Sequence, residues 1–426
     1  MTALVTVDEF ATALAALGAP RRFIVALSGG PDSVALMRLA AAMRADALAV
    51  TVDHGLRADS RREAEAAGAW AGAAGLGHII LGWDGEKPKA GRQAAARAAR
   101  YRLLADFAAR EGYEAVLTGH NADDQAETVF MRLARGAGPA GLAGMERASL
   151  IAAGAGAPLR LLRPLLDMPR ARLRATLTEM GQPFIDDPSN DDPAYERVRT
   201  RALLAALEEQ KLLTRAALCR TARRMRAAAD RLEAADRQAF ETAGGRFCAP
   251  GWVRLSRADI PASLAARLIR AVGAGDYAPA EEDAAAALQA ARATGAATLG
   301  GAVVKRGKAG LSFCREPAAL LGRACVAPIA PLRLAPGARA LWDGRFILTN
   351  EGPDALAVIP MGELAPLGVQ RRADEAGVPV EAMRTAPWPA GLDPDGTAAD
   401  RAGLPASLRV EPLIEERFSG RIVRFS

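Results

Sequence analysis

Ser28-Gly29-Gly30-Pro31-Asp32-Ser33 follows an apolar run, Phe23–Leu27, and opens a helix-like stretch, Val34–Met43. A strand that ends in Ser-Gly-Gly and turns into a helix is a place to hold an anion. The glycines let the backbone come close to a ligand. The first-turn N–H groups of the helix, at its positive dipole end, favour negative charge there. Asp32 adds a carboxylate where a magnesium ion can bridge to phosphate oxygens. No lysine follows the glycines, so this is not the G-x-x-x-x-G-K-[ST] loop. A bare Ser-Gly-Gly is also an ordinary turn with a serine cap. The reading therefore depends on what else the chain brings to the same end of the fold.

Outward from this loop, residues 22–135 alternate strand and helix. Strand-length apolar runs are Phe23–Leu27, Ala47–Val52, His78–Trp83 and Ala115–Thr118. Alanine-rich helical stretches lie between and after them: Pro31–Met43, Arg61–Ala74, Arg92–Glu111 and Asp123–Arg135. Continuous apolar runs alternating with helices predict an α/β fold with a doubly wound parallel sheet. Ligands in such sheets sit beyond the carboxyl ends of the strands. Each polar motif falls at such an end: Ser28–Ser33 after the first run, Asp53-His54 after the second, Gly119-His120 after the fourth.

Val52-Asp53-His54-Gly55-Leu56-Arg57 offers a carboxylate for a nucleotide or metal and two groups for negative charge. Arg100, on the helix before the fourth strand, can meet a transferred phosphate, although an exposed helical arginine is the commoner reading. Thr118–Thr128 is dense in polar groups at a strand-to-helix junction. Asp123 and Asp124 suit a helix N-terminus, which accounts for one acid but not for His120, a second acid, Gln125 and Glu127 together. Two of the three histidines, His54 and His120, stand at these strand ends. His78 begins an apolar strand and reads as structural.

The loop resembles that of the PP-loop ATP pyrophosphatases, and the motifs together resemble the tRNA(Ile)-lysidine synthetases. The family pattern is SGGxDS, VDHGLR, ARYxxL, TGHxxDDQxET, RGxGxxGLxGM, RPLL and DPSN. It is met here at Ser28–Ser33, Val52–Arg57, Ala99–Leu104, Thr118–Thr128, Arg135–Met145, Arg163–Leu166 and Asp187–Asn190. Asn121 departs from the pattern, where many relatives have a second histidine. The resemblance is strong over residues 20–205 and weaker beyond.

The resemblance implies ligation of free L-lysine to C2 of the first anticodon cytidine of a CAU-reading tRNA(Ile), with ATP as substrate and Mg²⁺ as cofactor. By this likeness Ser28, Gly29, Gly30, Pro31, Asp32 and Ser33 take the ATP phosphates, with Asp53 and His54 beside them. Asp32 and Asp124 are the metal candidates. Arg100 and Arg135 would stabilise the transferred phosphate. Asp123, Asp124 and Glu127 would orient lysine's ammonium, and His120 would shuttle protons. Three domains are expected: 1–205, ATP-binding and catalytic; 206–325, a helical linker and a first C-terminal tRNA-binding domain; 326–426, a second C-terminal domain. The last two are expected to be smaller α+β domains.

The remaining features bound the partners. Residues 197–237 read as all-helical and carry eleven Arg or Lys against five acids, a balance equal to the +6 of the whole chain. A solvated helix face explains that, and so does tRNA lying along it. Trp252, Trp342 and Trp388 suit a core, or stacking on bases. The four cysteines, Cys219, Cys248, Cys314 and Cys325, form no C-x-x-C. None lies in the first 200 residues, which disfavours a sulfur-transferring relative and fits a reducing cytoplasm. No apolar stretch is long enough for a bilayer and no basic leader precedes the first helix, so a membrane partner is not expected. A glutamine-dependent amidating enzyme would need an N-terminal cysteine, and the chain opens Met1-Thr2. The oligomeric state stays open, a homodimer among the alternatives.

Overall fold

Phe23, Ile24 and Val25 are all fully buried, as a strand covered on both faces requires. Phe23 and Val25 pack with Val34, Leu36, Met37, Leu173 and Leu177 on one side. Ile24 packs with Tyr101, Leu104, Phe107 and Val116 on the other. The computed structural model describes residues 2–55, 59–84, 87, 92–152, 158–186, 192–308, 310–323, 327–364, 366–390, 407–419 and 422–424. They fall into two units, one drawn from the first 232 residues and one from residues 233–424.

The first unit runs α1 (Val7–Ala15), β1 (Arg22–Ala26), α2 (Pro31–Ala42), β2 (Asp46–Asp53), α3 (Ser60–Ala73), β3 (Gly77–Gly82), α4 (Arg92–Glu111), β4 (Ala115–Leu117), α5 (Ala122–Ala134), α6 (Pro139–Leu142), β5 (Ala148–Ala152), β6 (Leu159–Leu162), α7 (Arg170–Glu179), α8 (Glu196–Glu209) and α9, which begins at Arg215. Within it the strands lie in the order β5-β6-β4-β1-β2-β3. All neighbours are parallel except β5 and β6. The order reverses direction between β1 and β4, and a doubly wound sheet binds ligands at such a switch point. The loops after β1 and β4 are those carrying Ser28–Ser33 and Gly119-His120.

The expected strands and helices are present to within a residue or two at most ends. Two readings need correction. As sequence, the glycine-rich and alanine-rich stretch from Pro139 to about Pro158 reads as a loop; in the fold it contains the short α6 and the antiparallel strand β5, whose Ile151 is fully buried. As sequence, Phe247–Leu255 reads as one strand; in the fold it is part of two, Arg246–Cys248 and Trp252–Leu255, paired across a turn at Pro250-Gly251. His78 is structural, as expected: its Nε2 lies 2.8 Å from Thr51 Oγ1 on the adjacent strand.

Among the described residues of the second unit, one sheet has five antiparallel strands, Arg246–Cys248, Trp252–Leu255, Gly310–Arg315, Ala302–Gly307 and Ala296–Leu299 in spatial order. Helices Ala262–Gly273 and Glu281–Thr294 cover it. Two three-stranded sheets follow. Ile414 and Phe418, near the end of the chain, pack into the core of the first sheet with Phe240, Leu264 and Phe313. Arg345 is fully buried; its Nε donates to Asp343 at 2.5 Å and its Nη2 to the Thr385 carbonyl at 2.8 Å. Arg315 pairs with the same aspartate at 3.0 Å. Burial pulls the Arg345 guanidinium down to about 10. Trp252, Trp342 and Trp388 are all buried, which is the core reading of these residues. Cys219, Cys248 and Cys314 are free thiols, and Cys325 lies outside the described residues.

Candidate active site

The loop after β1 is shaped by Ser33. Its Oγ donates to the Gly30 carbonyl at 2.9 Å and accepts from Ser28 N and Ser28 Oγ, each at 3.1 Å. Gly29 has φ +83°, a conformation that favours glycine, and its Cα faces the Ile185 side chain. Helix α2 starts at Pro31 with Gly30 as its N-cap and no side-chain cap. An uncapped N-terminus keeps its first-turn donors for a ligand.

The loop after β4 is built differently. Asn121 is fully buried and caps α5: its Oδ1 accepts from Asp123 N at 3.0 Å and Asp124 N at 3.2 Å. Asp124 Oδ2 accepts from Asn121 N at 3.0 Å, completing a capping box. The position where the resemblance breaks is thus the one that fixes Asp124. Gly119 touches the first turn of α2, since a Cβ on it would lie 2.8 Å from the Asp32 carbonyl.

These two loops meet on an arginine that the motif reading did not single out. Arg170 Nε lies 3.2 Å from Asp32 Oδ2, Nη2 3.0 Å from Asp124 Oδ1, and Nη1 3.7 Å from Glu127 Oε1. Its backbone N–H donates to Asp123 Oδ2 at 2.9 Å. Glu127 is fully buried and also pairs with Arg201 at 2.9 Å, while Asp123 pairs with Arg215 at 3.3 Å. The signal for Arg170 was electrostatic: a cation opening a helix is misplaced against the dipole unless carboxylates receive it. Burial, with Asp124 and Asp123 nearby, pushes the Asp32 carboxyl up to about 6 despite Arg170. Burial depresses the Arg170 guanidinium, but the surrounding carboxylates raise it further than burial lowers it.

Asp53 is tied to its own loop, accepting from Gly55 N at 2.9 Å and Ser60 Oγ at 2.7 Å. These bonds hold its carboxyl below the usual range although burial opposes them. His54 Nε2 is 3.4 Å from Arg100 Nη2. Burial and then Arg100 depress its pKa to about 4, so the ring is neutral. His120 Nδ1 is 2.8 Å from Thr118 Oγ1. Burial, followed by Arg163, Arg97, Arg197 and Arg100, drives it well below its ordinary value. One flank of the site is therefore carboxylate-rich and the other arginine-rich.

Arg135 is not brought to this cluster. It follows α5, roughly 16 Å along the axis from Asp124, and pairs with Glu196 at 2.6 Å in an exposed position. Gln125 grips the backbone of Met145 through both amide atoms, at 3.1 and 2.7 Å. Arg57 and Asp187–Asn190 lie outside the described residues. On α9, Arg220, Arg224 and Arg223 are exposed, but Arg226 is half-buried against Glu146.

Two buried carboxylate oxygens, Asp32 Oδ1 and Glu127 Oε2, have no donor. Among the described residues no group of three or more His, Cys, Asp and Glu side chains is arranged for a metal ion. Magnesium, however, is usually held by one or two carboxylates together with substrate phosphates. Asp32 and Asp124 fit a metal of that kind. Among the described residues no helix is long and apolar enough to cross a membrane.

A PP-loop domain family matches residues 5–207. A tRNA(Ile)-lysidine synthase of Methylobacterium nodulans is 42% identical over 317 residues, 70% of this chain and 92% of the relative. One from Methylobacterium sp. strain 4-46 is 42% identical over 337 residues, 78% and 89% of the two chains. One from Rhizobium meliloti is 35% identical over 409 residues, 90% and 84% of the two.

Proposed function

Since the chain belongs to the tRNA(Ile)-lysidine synthase family, we propose that it joins free L-lysine to C2 of the cytidine at the first anticodon position of a CAU-reading tRNA(Ile). It is an ATP-dependent ligase with a PP-loop domain. In the first step the cytosine C2 oxygen attacks the α-phosphorus of ATP. The bond to the β-phosphate oxygen breaks, and pyrophosphate leaves with the electron pair. In the second step the deprotonated ε-amine of lysine attacks C2, and the C2–oxygen bond breaks to release AMP. The modified base pairs with A instead of G, so the codon read changes from AUG to AUA.

Ser28–Ser33 and the open N-terminus of α2 would take the triphosphate. Asp32 and Asp124 would hold Mg²⁺, which neutralises phosphate charge when bound. Arg100, whose partner is the neutral His54 ring, can turn to the transferred phosphate. Asp123, Asp124 and Glu127 would orient the ammonium of lysine. His120 would relay protons once the triphosphate offsets the arginines that depress it. Anticodon-loop bases are single-stranded, which lowers the cost of bringing one into such a pocket. Free lysine, ATP and tRNA as substrates support a cytoplasmic location.

The observation that carries this reading is that the β1 and β4 loops share one guanidinium at the switch point of the sheet. Pyrophosphate release is the test, with ATP, lysine and tRNA transcripts supplied together and singly. Release that needs both lysine and a CAU anticodon is expected. Release with ammonia or glutamine and no RNA would transfer the protein to the amidating class.

A further inference from the structure

The carboxylate cluster already contains a cation of its own. Arg170 stands at the first position of α7, where the helix dipole disfavours it. Three carboxylates from two other elements keep it there, Asp32 on α2 and Asp124 and Glu127 on α5. The backbone pins the same junction, with Arg170 N donating to Asp123 Oδ2 and Ala122 N donating to the Met168 carbonyl at 3.0 Å. Leu173 and Leu177, one and two turns further along α7, are fully buried in the core that also holds Val34 and Met37 of α2. Arg170 is thus delivered by a packed element and is not a swinging surface side chain.

Each of the four carboxylates has an arginine: Asp32 and Asp124 share Arg170, Glu127 has Arg201, and Asp123 has Arg215. Two buried oxygens, Asp32 Oδ1 and Glu127 Oε2, are left without a donor. A lone divalent cation entering here meets a fixed guanidinium already paired with other oxygens of the same carboxylates, and the two repel. The polyphosphate of ATP changes that balance, since it brings negative charge enough for both cations.

Resting on the nucleotide reading above, we propose that Arg170 is a positioning residue that pre-neutralises the Asp32–Asp124–Glu127 cluster, so that the divalent cation binds only together with ATP. The device holds the carboxylates spaced between turnovers. It also makes metal entry and nucleotide entry one event.

The test is Mn²⁺ binding to the full-length protein, followed by electron paramagnetic resonance, with and without a non-hydrolysable ATP analogue. The wild-type protein is expected to bind Mn²⁺ at least about tenfold more tightly with the analogue than without it. Arg170→Met should bind Mn²⁺ without nucleotide about tenfold more tightly than wild type, because the repelling charge is gone. Arg170→Lys keeps the charge and should stay within about threefold of wild type. Equal Mn²⁺ affinity of the wild type with and without the analogue would overturn the proposal, as would equal affinity of Arg170→Met and wild type. If Arg170→Met does not fold, Arg170→Gln takes its place, with the same expected and overturning results. Failure of the analogue to bind the wild-type protein at all, with or without Mn²⁺, would instead remove the nucleotide site, and the role of Arg170 with it.

Discussion

Gly119 and Asp32 are so close that a methyl group on the glycine would stand 2.8 Å from the carbonyl carbon and oxygen of the aspartate. The loop after β4 thus leans directly on the first turn of α2. Gly119→Ala must push these two loops apart. Because displacements near 1 Å disturb reacting geometry severely, pyrophosphate release is expected to fall by about 10- to 100-fold in a folded variant. Full activity in that variant would show that the loops have slack between them.

Asp32, proposed above to hold the metal, has a pKa of about 6, and this carries a stability consequence. A carboxyl raised by folding costs stability wherever it is ionised, and the cost disappears as pH falls through 6 towards the unfolded value. Asp32→Asn is therefore expected to abolish adenylation yet to gain about 1 kcal/mol of stability at pH 7, a gain that vanishes near pH 4. Arg170 keeps Asp124 and Glu127 in this variant, so it is not stranded. Denaturant titrations at the two pH values decide the matter, and a net loss of stability at pH 7 would refute it. ATP-dependent activity of the wild type should likewise decline below about pH 6 as Asp32 protonates.

The basic face of α9 divides into two kinds of arginine. Arg220 and Arg224 are exposed, whereas Arg226 is half-buried against Glu146, whose carboxyl burial raises. Reversing charge at Arg220 and Arg224 should weaken tRNA binding and reduce the salt dependence by about one log–log unit for each phosphate no longer neutralised. Filter binding across a salt series measures both. Unchanged affinity would make this face merely solvated. Arg226→Glu should instead destabilise the protein, since it sets two carboxylates together.

In the second unit Asp343 stands between Arg345 and Arg315. Its φ of +48° is a conformation that asparagine also tolerates, so Asp343→Asn isolates the charge. Leaving a fully buried guanidinium without its counter-ion should cost about 3–5 kcal/mol in chemical denaturation. A loss under about 1 kcal/mol would mean that water or the Thr385 carbonyl compensates.

The four central strands and the loops at their carboxyl ends were legible because β1 to β4 are apolar runs of strand length, and the polar motifs interrupt them at the ends. The β5 strand was not, since Leu150 and Ile151 are adjacent large apolar residues in a short run that leads into alanine and glycine. Arg170 was missed for a different reason. Its partners, Asp32, Asp124 and Glu127, are more than forty residues away in sequence, and only the sheet order brings them together. Asn121 was passed over as a departure from a pattern, though an asparagine just before two aspartates at a helix start is a capping signal in its own right. Arg135 belongs to a recognisable motif, yet the length of α5 separates it from Asp124.

Ile414 and Phe418 complete a core whose other members, among them Phe240, Leu264 and Phe313, lie a hundred residues or more earlier. Deletion mapping of the C-terminal half is therefore prone to a specific error. A chain cut short before Ile414 would uncover Phe240 and its neighbours, and its failure to hold RNA would register unravelling of that core, not the removal of a binding surface. Point changes on exposed side chains, with the tail intact, are the experiments that separate the two.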